Sequence, residues 1–244
     1  MDLQILNSPH EVASAASLQA AEIIRRAIAD RGMAQVIAAT GVSQLEFLAL
    51  LVAQPGIAWE RVELFHLDEY LGIPPDHPAS MHRYIQEHII RSAGITKAFL
   101  LDGTSDETNG RASTAIRSAS IDVAFVGIGE NGHLAFNEPP ADFFTEEPFM
   151  VVDLAEQSRQ QQVKEGWFDS LESVPRQAIT MSVRQILKSR AILCIATGAR
   201  KAPAVQRCFS GEISSFAPAS ALRLHSDATV YLDADAAALL KGGL

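Results

Sequence analysis

Residues 121–138 read IDVAFVGIGENGHLAFNE, and this stretch decides the fold class. Its first part, Ile121–Ile128, is a mostly apolar run without strict alternation, which is typical of a strand covered on both faces. Glycines follow at positions 127, 129 and 132, and glycine permits tight turns and close approach of the backbone. The stretch therefore predicts a buried strand that ends in a glycine-rich loop.

The same pattern recurs along the rest of the chain. Further short apolar runs predict strands at Ala34–Ala39, Val62–Leu67, Ile179–Ser182, Ala191–Ala196 and Thr229–Leu232. Helices are predicted at Val12–Asp30, Leu45–Ala53, Pro78–Arg91, Thr108–Ser118 and Asp233–Leu240. Apolar strands that alternate with helices indicate parallel pairing with helices on both sides. We therefore expect an α/β fold: one three-layer α/β/α, Rossmann-like domain with a mostly parallel sheet, spanning residues 1–244.

Composition narrows the function classes. The 244 residues are 48% hydrophobic and carry a net charge of −9, which fits a globular protein and disfavours nucleic-acid and anionic-membrane surfaces as partners. Cys194 and Cys208 are too few for a disulfide framework, and no histidine or cysteine pair has metal-ligand spacing. We expect no metal and no other cofactor. Without a long apolar run or a signal peptide, the expected location is the cytoplasm.

Four predicted strands end in segments that carry polar side chains or glycines. These segments are Thr40-Gly41-Val42-Ser43, Asp68–Tyr70, Gly127–Glu138 and Thr197–Lys201. Because parallel strands end at the same edge of a sheet, all four should open onto one site.

Two of these segments suit an anion. Thr40–Ser43 offers free backbone N–H groups and two hydroxyls at the start of a helix, although a plain helix cap is an equally simple interpretation. Arg200 and Lys201 follow another strand and suit a phosphate, or they are solvated surface cations.

The other two segments suit acid–base chemistry. Asp68 and Glu69 are adjacent, so on an extended chain they point to opposite sides and at most one serves a site easily. His133 follows the glycine-rich turn, and Glu138 lies five residues further on, where it could orient the imidazole.

Taken together, these segments resemble the glucosamine-6-phosphate deaminase (isomerase) family, which shares its fold with the 6-phosphogluconolactonases. The resemblance rests on AATGVS at 38–43, LDEYLGIPPDHPAS at 67–80, GIGENGHLAFNEP at 127–139, VPRQAITMS at 174–182 and TGARKAPAVQ at 197–206. The FNEP continuation distinguishes the deaminases from the lactonases, which share a GxGxDGH element. The resemblance implies a sugar-phosphate substrate, amino sugar metabolism and an enzyme that converts glucosamine 6-phosphate to fructose 6-phosphate and ammonia. The family includes monomers and hexamers, so a homo-oligomer stays open.

The resemblance also implies the role of each site residue. His133 opens the sugar ring, Asp68 moves a proton between C2 and C1, and Glu138 holds the imidazole. The phosphate lies on Thr40–Ser43 with Lys201 as its countercharge.

Four departures from the family pattern affect this assignment. Asn131 stands where well-known members have aspartate, and it can orient the imidazole only by hydrogen bonding. The lid arginine is missing from SRQQQVKEGWF, so Lys164 is the closest match and Arg159 the second choice. Met81 replaces an aromatic residue, and residues 139–150 lack the basic allosteric segment. We therefore expect a non-allosteric enzyme or altered substrate preference. A lactonase and a sugar-phosphate-binding regulatory protein are the alternatives.

Overall fold

The computed structural model describes residues 1–240, so the last four residues of the predicted domain lie outside the described part. The strands are β1 Asp2–Leu6, β2 Ala34–Ala38, β3 Val62–His66, β4 Asp68–Tyr70, β5 Lys97–Phe99, β6 Val123–Gly127, β7 Phe149–Asp153, β8 Gln177–Met181, β9 Ala191–Ala196 and β10 Ala228–Asp233. The α-helices are α1 Pro9–Arg31, α2 Val42–Val52, α3 Met81–Ile85, α4 Arg91–Ala93, α5 Asp106–Arg117, α6 Glu156–Lys164, α7 Val183–Ile186 and α8 Ala202–Ser210. A π-helical turn at Gln86–Ile90 joins α3 to α4.

Seven strands form one sheet in the order β1-β10-β9-β6-β2-β3-β5, and every pair in it is parallel. Apart from β1, which lies at one edge beside β10, the chain builds this sheet outward in both directions from the adjacent strands β2 and β6. Such a reversal of strand order leaves a crevice beyond the carboxyl ends of the two central strands. The glycine-rich loop after β6 and the Thr40–Ser43 loop after β2 therefore open onto the same crevice.

Successive residues of each central strand pack against opposite layers. In β2, Val36 belongs to a core that includes α1 and α2, whereas Ile37 belongs to a second core that includes α5, α7 and α8. The sheet is thus buried on both faces, which explains why its strands lack an apolar–polar alternation. This arrangement confirms the α/β fold class with helices on both sides of a parallel sheet.

A second, three-stranded antiparallel sheet in the order β4-β8-β7 lies beyond the main sheet. Asp68–Tyr70, the segment predicted to end a strand, forms a strand of its own, β4. Residues 179–182, predicted as one more strand in the α/β pattern, overlap β8 and pair antiparallel with β4 and β7. Short strands such as β4 give too little sequence pattern to be predicted.

The helix predicted at Asp233–Leu240 is wrong, whereas the start of α1 is confirmed. Residues 234–240 form successive turns: a single i+4 hydrogen bond from Ala237 N to Asp233 O is followed by i+3 bonds from Ala238 N to Asp235 O and from Leu240 N to Ala237 O. At α1, the Ser8 hydroxyl accepts from Glu11 N at 3.2 Å, and Gly32 ends the helix at φ 81°.

Candidate active site

A cleft of about 170 Å³ lies at the carboxyl edge of the main sheet, and all four predicted polar segments line it. The predicted site residues that line it are Thr40, Gly41, Val42, Ser43, Asp68, His133 and Lys201. Met81 also faces the cleft. The parallel topology is what brings these residues together, since their positions span more than 160 residues of sequence.

One wall of the cleft is the first turn of α2. Gly41 precedes this helix at φ 110°, a conformation that favours glycine, and no side chain caps the helix. The plain-cap interpretation of Thr40 and Ser43 therefore does not hold, because neither hydroxyl satisfies the first N–H groups of α2. Free N–H groups at a helix start attract an anion, and here two hydroxyls stand beside them.

Two cations line the same cleft as this helix start. Lys201 and Arg200 lie in the turn that follows Gly198, whose N–H donates to both carboxylate oxygens of Asp233 at 2.9 and 3.0 Å. Burial lowers the pKa of Lys201, while the nearby carboxylates of Glu165 and Glu130 act in the opposite direction. A largely buried ammonium beside an uncapped helix start is a suitable partner for a phosphate.

Asp68 is the buried carboxyl of the cleft. It is 6% exposed, and no donor in residues 1–240 hydrogen-bonds to its side chain. Burial, assisted by the charge of Glu69, raises the pKa of Asp68 to about 8. A carboxyl that titrates near neutral pH can take up and return a proton with little driving force in either direction.

Glu69 points away from the cleft, as the alternation of an extended chain predicts. Its carboxylate accepts from Ser80 Oγ at 2.6 Å and from the backbone N–H groups of Met81 and His82 at 3.2 and 2.8 Å. Glu69 thus holds the first turn of α3 against β4. Of the two adjacent acids, only Asp68 is available to a ligand in the cleft.

The imidazole of His133 lies against Gly129. A Cβ atom at position 129 would overlap the Nε2 side of the ring, so glycine is required for this packing. On the other side of the ring, Nδ1 lies 3.2 Å from Ser158 Oγ and 3.5 Å from Glu138 Oε2. The backbone N of His133 donates to Asn131 Oδ1 at 3.1 Å. The imidazole is therefore held between Gly129 on its Nε2 side and Ser158 and Glu138 on its Nδ1 side.

Glu138 and Asn131 lie behind the imidazole and outside the cleft lining. Asn131 Nδ2 donates to Glu138 Oε2 at 2.6 Å and to Ser158 Oγ at 3.3 Å. Burial alone would raise the pKa of Glu138, but the hydrogen bonds and charge of His133, with Ser158 and Asn131, hold that pKa below its usual value. Glu138 is thus an ionised carboxylate that can stabilise an imidazolium.

The second sheet supplies the common frame for His133 and Asp68. Thr180 of β8 pairs with Asp68, and its hydroxyl accepts from Phe136 N at 2.9 Å. Asn137 Nδ2 donates to Leu134 O at 2.7 Å and to Met181 O at 2.8 Å. The FN part of the FNEP block therefore anchors the histidine loop to β8, the strand that pairs with the Asp68 strand β4.

Lys164 is not among the residues that line the cleft. It is exposed at the end of α6, while Gln161, Gln162 and Glu165 of the same helical segment face the ligand space. Arg159, the second choice for the lid cation, donates to Leu171 O and to Val174 O instead. The spacing of a helix explains the difference, because only one of its faces points into the cleft.

Sequence reasoning missed Gly129, Ser158 and Glu165 as site residues. The i,i+4 spacing of Gln161 and Glu165 was the available signal for a shared helix face. Within residues 1–240, no three His, Cys, Asp or Glu side chains come together as a metal would require. None of the described helices is both long and apolar enough to span a bilayer.

Comparison with known proteins identifies relatives along nearly the whole chain. The family model described as glucosamine-6-phosphate isomerases/6-phosphogluconolactonase matches residues 7–231. A glucosamine-6-phosphate deaminase of Geobacillus sp. (strain WCH70) is 37% identical over 92% of this chain and 91% of its own. One from Halothermothrix orenii is 34% identical over 93% of this chain and 94% of its own.

Solved structures similar to this chain include proteins of the same two kinds. A monomeric glucosamine-6-phosphate deaminase superimposes with a TM-score of 0.89 at 32% identity, covering 98% of this chain and all of its own. A 6-phosphogluconolactonase from Shewanella baltica OS155 has a TM-score of 0.77 at 20% identity, covering 96% and 97%, and shares the fold. The chain therefore belongs to the family of glucosamine-6-phosphate isomerases and 6-phosphogluconolactonases.

Proposed function

We propose that this protein is a glucosamine-6-phosphate deaminase, which converts glucosamine 6-phosphate and water to fructose 6-phosphate and ammonia. The observation that carries the proposal is the shared cleft of Asp68 and His133 with an uncapped helix start and Lys201. The names of the relatives at 32–37% identity support the same activity. The anion end holds the phosphate, and the acid–base pair stands where C1 and C2 would react.

The phosphate is bound by the first turn of α2 and by Lys201. The backbone N–H groups of Val42 and Ser43 and the two neighbouring hydroxyls supply directional donors, and the ammonium supplies charge. Arg200 is held 3.4 Å from Glu130 Oε1 at the rim of the cleft, where it adds positive potential. Fixing the phosphate sets the position of the sugar carbons at the far end of the cleft.

Ring opening is assigned to His133. Its imidazole takes the proton of the C1 hydroxyl and delivers a proton to the ring oxygen, which yields the open-chain aldehyde. Gly129 and Ser158 fix the plane of the imidazole for this transfer, and Glu138 stabilises the transient positive charge. Asn131 donates to Glu138 and so keeps that carboxylate in place.

Isomerisation is assigned to Asp68. In its ionised form the carboxylate takes the proton from C2, which gives an enolamine, and returns it to C1, which gives the ketimine. Water then adds to C2 and ammonia leaves. A pKa of about 8 makes Asp68 a stronger base than an exposed aspartate while it stays partly ionised near neutral pH.

A substrate panel tests the proposal. Purified protein is given glucosamine 6-phosphate, galactosamine 6-phosphate or 6-phosphogluconolactone, without added metal, and ammonia, ketose phosphate and acid are measured. We expect ammonia and fructose 6-phosphate in equal amounts from the first substrate. Acid release from the lactone without ammonia from either amino sugar would instead establish a lactonase. Binding of the sugar phosphates without turnover of any of the three would support a regulatory binding protein.

A further inference from the structure

The lid segment presents a carboxylate to the cleft where the family resemblance led us to expect a cation. Glu165 and Gln161 lie one helical turn apart and both line the cleft. Gln161 is 7% exposed; its Oε1 accepts from Glu130 N at 3.3 Å, and its Nε2 donates to Glu165 Oε1 at 2.7 Å. A buried amide thus connects the glycine-rich loop to Glu165 and fixes the direction of its carboxylate.

Glu165 has no cationic partner of its own. In the part of the chain that the structure describes, no lysine or arginine nitrogen lies within 4.0 Å of its carboxylate, and the side chain of Gln161 donates a hydrogen bond to it. The charge of Glu165 nevertheless affects the pKa values of Tyr70 and Lys201. Burial raises the pKa of Tyr70, and Asp68, Glu69 and Glu165 all add to that rise, while Glu165 also acts on Lys201.

A carboxylate in this place opposes the binding of a phosphate dianion and favours a ligand that also carries a positive charge. Lys201, Arg200 and the start of α2 already serve the phosphate, so Glu165 is not needed there. The remaining charged group of an amino-sugar phosphate is the ammonium on C2. Lys201 acts on Glu165 only from beyond ion-pair distance, so a neutral hydroxyl at C2 would leave this half-buried carboxylate without a cation in direct contact.

We propose that Glu165 is a specificity-determining residue that selects ligands with an ammonium group at C2 over ligands with a hydroxyl there. The inference rests on the proposed function and adds the residue that distinguishes an amino-sugar phosphate from a plain sugar phosphate. Gln161 acts as the positioning residue for this carboxylate.

The test uses two ligands that cannot isomerise because their C1 aldehyde has been reduced. These are 2-amino-2-deoxyglucitol 6-phosphate and glucitol 6-phosphate, which differ only in the group at C2. Their dissociation constants are measured by calorimetry for the wild type and for Glu165→Gln. The matched control is Glu156→Gln, because Glu156 on the exposed face of α6 accepts from Gln160 with the same i,i+4 spacing at 2.8 Å.

We expect Glu165→Gln to weaken binding of the amino ligand about tenfold, while binding of the hydroxyl ligand stays the same or becomes tighter. Glu165→Asp, which keeps the charge, should retain most of the preference, and Glu156→Gln should retain all of it. An unchanged ratio of the two dissociation constants in Glu165→Gln would overturn the inference. Wild-type turnover of glucosamine 6-phosphate is measured on the same preparation, so that failure of the proposed activity is recognised separately.

Discussion

Replacing Asp68 by Asn should stabilise the protein and at the same time remove its activity. The side chain is 6% exposed and lies beside Glu69, and its pKa of about 8 means that the folded state strongly prefers the protonated, neutral form. Asn has nearly the same shape and is neutral at every pH. The substitution therefore removes the cost of a buried carboxylate and also the base that moves the C2 proton.

The pKa shift gives the size and the sign of the effect. The folded pKa of Asp68 lies above its usual value of 3.8, so the folded protein binds more protons than the unfolded chain between about pH 4 and pH 8. Stability of the wild type is therefore lost as pH rises through this window, at up to about 1.4 kcal/mol per pH unit. From pH 5 to pH 8 the effect is about 2–4 kcal/mol, where the upper figure is the ceiling without relaxation around the charge.

Urea unfolding of the wild type and Asp68→Asn at pH 5 and pH 8 measures this difference, because titrations common to both proteins largely cancel. The advantage of Asp68→Asn should grow by about 2–4 kcal/mol over that range, while turnover falls by about 10²–10⁴-fold. Asp235→Asn, an exposed position, serves as the control and should change neither quantity. A stability difference that does not depend on pH, or full activity of Asp68→Asn, would refute the reasoning.

Four further outcomes follow from the site. The kcat/KM for glucosamine 6-phosphate should rise with pH through about 8, because Asp68 must be ionised to act as a base; a flat profile from pH 6 to pH 9 would contradict this role. Gly129→Ala should lower kcat about 100-fold, because the added methyl group displaces the His133 ring. Gly110→Ala in α5 should leave kcat unchanged, because its methyl group meets open space. Equal kinetics of the two variants would contradict the packing argument. Lys201→Ala should raise KM about tenfold or more and Lys164→Ala less than twofold, and the reverse order would restore Lys164 as the phosphate ligand. Asn131→Asp should lower the free energy of unfolding at pH 8 by about 1 kcal/mol, because it places a second carboxylate beside that of Glu138. This loss should be smaller at pH 5. A variant as stable as the wild type at pH 8 would show that another donor holds Glu138.

Much of the fold could be predicted because short apolar strands and helix caps are local signals. The run from Val123 to Gly127 and the Ser8 cap of α1 depend on neighbouring residues alone. Strand β4 and the turns after Asp233 could not be predicted in this way. The first has three residues and exists because β8 pairs with it, and the second is set by hydrogen bonds of Asp233 to Gly198 and Ala236.

Site residues at strand ends could also be predicted, because a parallel sheet places the carboxyl ends of its strands together. Asp68 and Lys201 both follow this rule and line the cleft. Site residues contributed by a helix could not be predicted, because the sequence does not tell which face of the helix points into the cleft. Lys164 and Glu165 are adjacent, and only Glu165 lines the cleft. The sequence predicts a turn at Gly129, but its contact with the His133 imidazole depends on how the loop folds.

Ammonia release from glucosamine 6-phosphate, measured side by side for the wild type and Asp68→Asn, tests the central claim most directly. The account predicts ammonia and fructose 6-phosphate in equal amounts from the wild type. It also predicts that Asp68→Asn still binds the substrate but releases neither product at a comparable rate. Ammonia release at the wild-type rate by Asp68→Asn, or none by the wild type on this substrate, would contradict it.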